Sequence, residues 1–197
     1  LEADARGDAR SRKQVDVILR ASQRMKQLID DLLDMANIRT GRLSMDRSAW
    51  PAAALVNEAA EVHGPLAAAK GVSLDVRLDI GDESVCCDHG RIQQVFANLV
   101  GNAIKFCAEG DTIRLLAARE AGMVRFSVVD SGPGIAPEAL DHLFEAYWSA
   151  AQHARKGSGL GLSIAHSIVA AHGGRLWVES TVGEGSAFHF TVPIIES

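Results

Sequence analysis

Several kinds of chemistry are missing from this 197-residue chain. Its three cysteines, Cys86, Cys87 and Cys107, form no C-x-x-C pair, so neither a zinc site nor a disulfide framework is indicated. The vicinal Cys86 and Cys87 sit in an apolar stretch, and the three thiols read as buried and reduced. The seven histidines are scattered and show no H-E-x-x-H spacing. His89, at a helix start, and His172, before Gly173-Gly174, read as capping or surface residues. The longest apolar stretches are far too short to span a bilayer. The polar run Leu1 to Arg12 shows no signal peptide. These features predict a cytoplasmic segment without membrane contact of its own and leave open a membrane segment in a longer parent protein. Basic charge is not in excess either. Lys and Arg number 20 against 25 for Asp and Glu, giving a net charge of −5, so a nucleic-acid partner is not expected. There is no G-x-x-x-x-G-K-[ST] loop, no H-R-D or D-F-G signature, no internal repeat and no low-complexity tract.

What is present is a 47% apolar, 23% charged composition, enough for one good-sized globular domain with an extension. From about Ser11 to Ile38 the chain reads as one long helix. Val15, Ile18, Ser22, Met25, Ile29, Leu32 and Ala36 recur at alternating spacings of three and four, a heptad seam widened by Leu19, Leu28 and Leu33. A stripe this wide needs a partner, in a bundle or a dimer, with packing on its own domain as the plainer alternative. Thr40-Gly41 ends the helix, and Leu1 to Arg10 reads as the tail of a preceding helix or a connecting loop. Residues 1–41 are therefore separated from a domain at 42–197.

In that domain, Leu43 to Asp46 is expected as a short strand. Pro51 suits the first position of a helix over Ala52 to Lys70, stopped by Gly71. Strands follow at Val72–Leu78 and Val85–Cys87. Asp88 is a good N-cap for a helix reaching about Phe106. A hairpin over Thr112–Arg119 and Met123–Asp130 turns near Ala121-Gly122. Pro137–Phe144 and Leu160–His172 read as helices. Leu176–Ser180 and Ala187–Pro193 read as strands joined around Gly183-Glu184-Gly185. Ser149 to Ser158 reads as a mobile loop. The mixture predicts an α/β sandwich in which helices cover one face of a mixed sheet.

Three patches carry candidate chemistry. In Asn98-Leu99-Val100-Gly101-Asn102-Ala103-Ile104-Lys105-Phe106, two asparagines four apart share a helix face, with Lys105 close by. Amide oxygens suit Mg²⁺, which keeps waters and adds phosphate oxygens, and a lysine suits phosphate as a point charge. Alone, the pair also fits an exposed polar face. In Asp130-Ser131-Gly132-Pro133-Gly134-Ile135, a carboxylate ends an apolar strand. It can accept the exocyclic N–H of adenine, where guanine offers a carbonyl and leaves the acceptor unpaired. Alone, this also fits a plain turn. In Gly157-Ser158-Gly159-Leu160-Gly161, glycines open a helix whose free N–H groups can bind anions. No strand precedes them, so this is not a dinucleotide fingerprint.

Together and in this order, the patches resemble the N, G1 and G2 boxes of sensor histidine kinases, within the gyrase–chaperone–kinase–MutL ATPase superfamily. Leu143-Phe144-Glu145-Ala146-Tyr147-Trp148 resembles the F box between G1 and G2. The run Leu28-Ile29-Asp30-Asp31-Leu32-Leu33-Asp34 resembles the second helix of the family's dimerisation hairpin. The resemblance extends over Asp88–Asn98 and over the closing stretch Gly173 to Pro193. It implies the family's ATP-binding sandwich (the Bergerat fold) and a Mg-ATP site. Asp130, backed by Ser186, would bind the adenine amino group, with Gly132, Gly134 and Ile135 shaping the pocket and Phe106 packing near the base. Asn102 would hold the metal beside Asn98, and Asn102 and Lys105 would form the catalytic part. Gly157, Gly159, Leu160 and Gly161 would anchor an ATP lid from which Arg155 or Lys156 reaches the terminal phosphate. It further implies a homodimer in the intact protein and, as partner, the receiver domain of a response regulator.

The chain departs from the family in two respects. The phosphoacceptor histidine belongs on the first hairpin helix, yet no histidine precedes His63, which falls in a different helix. The pair Tyr147-Trp148 is a smaller departure. Two other readings stay open: a serine kinase or ATPase of the same superfamily, and a nucleotide-binding pseudokinase that acts by docking.

Overall fold

The structure, a computed structural model, describes residues 2–40, 43–146 and 159–195. It divides into two compact units, Leu1–Leu43 and Ser44–Ser197. The first is the single helix α1 (Glu2–Arg39). It begins well before Ser11, because alanines and arginines among residues 3–10 favour helix enough to absorb the roughly 1 kcal/mol cost of Gly7. Glu2 to Arg10 is thus neither a loop nor part of a separate helix, and Leu1 lies outside the described residues. Ile18, Leu19, Met25, Leu28, Ile29, Leu32 and Leu33 are all exposed on α1.

The second unit has strands β1 (Ser48–Pro51), β2 (Ser73–Asp79), β3 (Ser84–Cys87), β4 (Thr112–Glu120), β5 (Met123–Asp130), β6 (Leu176–Thr181) and β7 (Gly185–Pro193). Its helices are α2 (Ala52–Ala68), α3 (His89–Phe106), the short α4 (Pro137–Leu140) and α5 (Gly161–Ala171). The expected strand at Leu43–Asp46 does not form. The strand lies at Ser48–Pro51, where Trp50 pairs with Val85 in an antiparallel two-stranded ribbon with β3. The helix expected over Pro137–Phe144 stops at Leu140 and gives way to turns.

The main sheet has the order β2-β4-β5-β7-β6. Only β2 and β4 pair in parallel, so the sheet is mixed. Residues alternate across it, as a pleated strand requires. Val124, Phe126 and Val128 on β5, with Phe188, Phe190 and Val192 on β7, are buried beneath the helices. There Phe96 of α3 meets Phe126 edge-on, with centroids 5.7 Å apart, and Phe190 at 5.2 Å. Burying three such rings supplies much of the apolar driving force that seats α3 on the sheet.

Caps fix the helix ends. Asp88 accepts from the Arg91 N–H at 3.0 Å, as an N-cap should. Its other oxygen accepts from the Asp46 N–H at 2.9 Å, tying residue 46 to the start of α3. Arg47 donates to the Ala171 carbonyl at the end of α5. His172 occupies the C-cap of α5 as expected, but it is 2% exposed rather than a surface residue. Its Nδ1 donates to the Ile168 carbonyl at 2.8 Å, and its Nε2 accepts from the Asp88 N–H at 3.0 Å. One neutral ring therefore joins the end of α5 to the start of α3. His89 stacks on Trp50 and meets Glu58 at 2.6 Å. Cys87 and Cys107 are buried free thiols, whereas Cys86 is half-buried.

Candidate functional site

Helix α3 is the spine of the site. Its sequence puts Ile92, Val95, Phe96, Leu99, Val100 and Ala103 into the core, which leaves Asn98, Asn102 and Lys105 on partly exposed positions. Two ends of this helix face meet the other two patches. At the first, a Cβ on Gly161 would lie 2.8 Å from Asn98 Oδ1, so glycine lets the start of α5 sit against the asparagine without displacing its side chain. Gly159 and the buried Leu160 lead into that contact. At the second, Gly132 lies against Cys107, the residue that follows α3. Lys105 Nζ sits 4.6 Å from the centroid of the Phe106 ring, and that ring is half exposed.

Asp130 ends β5 opposite Ser186 of β7. Its Oδ1 accepts from the Gly132 N–H at 2.9 Å. Burial pushes its carboxyl above the usual range, the Gly132 and Ser186 N–H groups oppose this, and the Asp111 carboxylate adds to it. The group is thus a half-buried acceptor held in a fixed rotamer. Gly134 has φ +70°, and a Cβ there would collide with the Thr181 carbonyl, so the turn after Asp130 passes hard against β6. Ser180 pins this turn. Its Oγ accepts from the Ile135 N–H at 2.8 Å, donates to the Gly185 carbonyl at 2.8 Å and lies 3.0 Å from Ser186 Oγ.

The fold thus brings Asn98 together with Gly161, and Asp130 with Gly132, Ser186 and, through Ser180, Ile135. Phe144 of the F-box stretch reaches α5, where its ring centroid lies 5.4 Å from that of His166. Gly157, Arg155, Lys156, Tyr147, Trp148 and the loop Ser149–Ser158 lie outside the described residues. Sequence reasoning missed Ser180, although a serine in an edge strand next to a glycine turn is a weak signal for such a pin. It also missed Lys70, Asp111 and Ser131, which surround the exit of α3.

Among the described residues, no group of three His, Cys, Asp or Glu side chains is placed to hold a metal. The oxygen donors on offer are the amides of Asn98 and Asn102, hard but too few for a protein-only cage. They suit Mg²⁺ arriving with phosphate oxygens. The pinned acceptor Asp130 and the glycine-lined turn suit a flat base carrying an N–H donor.

A half-buried acceptor at a strand end, a polar helix face and a glycine-opened helix together suit a nucleotide. Residues 87–196 match the family described as "Histidine kinase-, DNA gyrase B-, and HSP90-like ATPase". The chain belongs to this family. Its relatives put it on the sensor-histidine-kinase branch. The adaptive-response sensory kinase SasA of Crocosphaera subtropica is 36% identical over 174 residues, covering 86% of this chain and 45% of that protein. Full-length ShkA, solved in complex with AMPPNP, superposes with a TM-score of 0.76 at 34% identity over 87% of this chain and 36% of that one. The catalytic domain of the histidine kinase ThkA superposes with a TM-score of 0.68 at 31% identity, covering 76% of this chain and 96% of that domain. ThkA in complex with the response regulator protein TrrA superposes with a TM-score of 0.69 at 26% identity, over 87% of this chain and 49% of that one. The chain spans about half the length of the SasA proteins it matches. No helix among the described residues is long and apolar enough to cross a membrane.

Proposed function

We propose that this chain binds Mg-ATP in its second unit and delivers the γ-phosphate to a histidine on a helical hairpin, for relay to an aspartate of a response regulator. The observation that carries the reading is the convergence on α3: Asn98 under Gly161 at one point and Gly132 against Cys107 at the other. Between these points lie Asn102 and Lys105. In this reading Asp130 accepts the adenine amino group, supported by Ser186. Gly132, Gly134 and Ile135 form the wall of the base pocket, and Phe106 covers its mouth. Asn102 holds Mg²⁺ with Asn98 beside it. The metal supplies charge neutralisation at the phosphate oxygens. Lys105 adds a positive charge to the phosphates. Gly157, Gly159, Leu160 and Gly161 anchor the lid, with Arg155 or Lys156 at the terminal phosphate.

The work of these residues is positioning and charge neutralisation, since phosphoryl transfer asks little covalent chemistry of a protein. Residues 1–41 are assigned to part of the dimerisation and phosphotransfer hairpin. Their exposed apolar stripe, Ile18 to Leu33, supports a homodimer in the intact protein. The ThkA–TrrA complex supports a receiver domain as partner. This chemistry is that of the cytoplasm, where ATP is supplied, and the reading assigns no membrane contact to this segment.

The test is phosphotransfer in trans. The chain is mixed with γ-labelled ATP, Mg²⁺ and the histidine-bearing hairpin of its own parent protein. Acid-labile, base-stable label on the hairpin is expected. ATP binding without label, under conditions where the intact parent is also inactive, would count against the kinase reading and favour a regulatory nucleotide-binding module.

A further inference from the structure

The exit of α3 is held by a charged device that the nucleotide-site reading does not use. Lys70, just after α2, reaches 37 residues along the sequence to the end of α3. Its Nζ donates to the carbonyls of Ile104 at 2.6 Å, Lys105 at 2.9 Å and Cys107 at 2.6 Å. These are the carbonyls a helix leaves without partners at its C-terminus, where its dipole favours a cation. One ammonium with three donors satisfies three of them at once.

Across the same junction stands Asp111. Its Oδ2 accepts from the Ala108 N–H at 2.7 Å, and its Oδ1 accepts from the Ser131 hydroxyl at 3.1 Å. The Ser131 Oγ in turn accepts from the Thr112 N–H at 3.0 Å, and the Ser131 N–H donates to the Thr112 carbonyl at 3.1 Å. Ser131 lies between Asp130 and Gly132, and Gly132 abuts Cys107. The chain thus closes a circuit. Lys70 fixes the end of the helix that carries Asn102 and Lys105, Asp111 fixes the next residues, and Ser131 hands that constraint to the turn carrying Asp130.

We infer that Lys70 and Asp111 form a two-part clamp that sets the distance between the phosphate-facing helix α3 and the base-facing turn after Asp130, making both of them positioning residues for nucleotide binding. This inference rests on the Mg-ATP reading above. The residues touch no part of the proposed nucleotide themselves. They act through Cys107, Ala108 and Ser131. The clamp is built from opposite charges on either side of the junction, so each half can be removed separately.

The experiment is a titration of the whole chain with Mg-ATP by calorimetry at 10 °C, with circular dichroism showing that each variant is folded. Lys70→Met loses three charge-assisted hydrogen bonds, and its Kd is expected to rise about tenfold or more. Lys70→Arg keeps the charge and several donors, and its Kd should lie nearer that of the unmodified chain. Asp111→Ala should weaken binding in the same sense. The double variant should lose less than the product of the single losses, because both act on one distance. A folded Lys70→Met that binds like the unmodified chain overturns the inference, as does an equal loss in Lys70→Met and Lys70→Arg, which would assign the effect to packing. If Lys70→Met does not fold, Asp111→Ala decides: weakened binding supports the clamp and unchanged binding overturns it. Failure of the unmodified chain to bind Mg-ATP would instead remove the reading on which the clamp rests, and the clamp with it.

Discussion

Asp130 carries the sharpest consequence at the scale of single residues. The folded chain holds its proton more tightly than the unfolded chain does, because burial disfavours the charged form. The ionised carboxylate therefore costs stability at neutral pH, and that cost shrinks as pH falls through the raised pKa and is gone below the ordinary carboxylate value. Asp130→Asn should abolish ATP binding yet leave the thermal midpoint unchanged or raised, as a scanning calorimeter would record. A marked drop in midpoint would mean that the carboxylate is a structural support. Gly134→Ala is expected to cost about 1–2 kcal/mol for its left-handed backbone alone, with the Thr181 clash added. Urea titration would read the loss. Asp130, Asn98 and Gly161 were legible in the sequence because each stands in a short run whose chemistry is local. Ser180, Lys70 and Asp111 were not. Ser180 meets Ile135 across 45 residues and Lys70 meets Cys107 across 37, and no short window contains such pairs.

Helices α3 and α5 are seated by the same few contacts that fix their ends. Asp88 caps α3, and the buried imidazole of His172 ties the Asp88 N–H to the last turn of α5. Burial pushes His172, His189 and His63 below the ordinary histidine pKa. A histidine depressed in the fold takes up protons more readily when unfolded. Stability is then fully present above about pH 6.5 and is lost as pH falls from there toward the depressed values. Thermal midpoints measured between pH 7 and pH 5 should fall, and His172→Gln should flatten part of that slope. A slope that is the same in His172→Gln as in the unmodified chain would contradict the burial of the His172 ring. Asp88→Ala should cost about 1 kcal/mol as a lost N-cap. The N-cap could be read from sequence because an aspartate before an amphipathic run is a local signal. The partner of His172 could not, since 84 residues separate it from Asp88. The strand misplaced at Leu43–Asp46 shows the converse. Its local pattern was weak, and β1 formed instead where Ser48–Pro51 can pair with Ser84–Cys87.

For the whole molecule, element types and their order were legible from periodicity, and so was the mixed sheet covered by helices. The strand order was not. The parallel pairing of β2 with β4, which joins the turn after α2 to the exit of α3, has no signature in either strand alone. That pairing brings Lys70 to the end of α3, and the antiparallel pairing of β4 with β5 brings the residues after α3 to Ser131. The long-range pairings therefore build the site from patches that are each ordinary by themselves. In the proposed function these patches form one adenine-specific Mg-nucleotide site organised by Asp130. Calorimetric titration of the chain with Mg-ATP and with Mg-GTP is the decisive measurement. Binding of Mg-ATP, weak or absent binding of Mg-GTP, and loss of Mg-ATP binding in Asp130→Asn are expected. Equal binding of the two nucleotides, or undiminished ATP binding by Asp130→Asn, would contradict it.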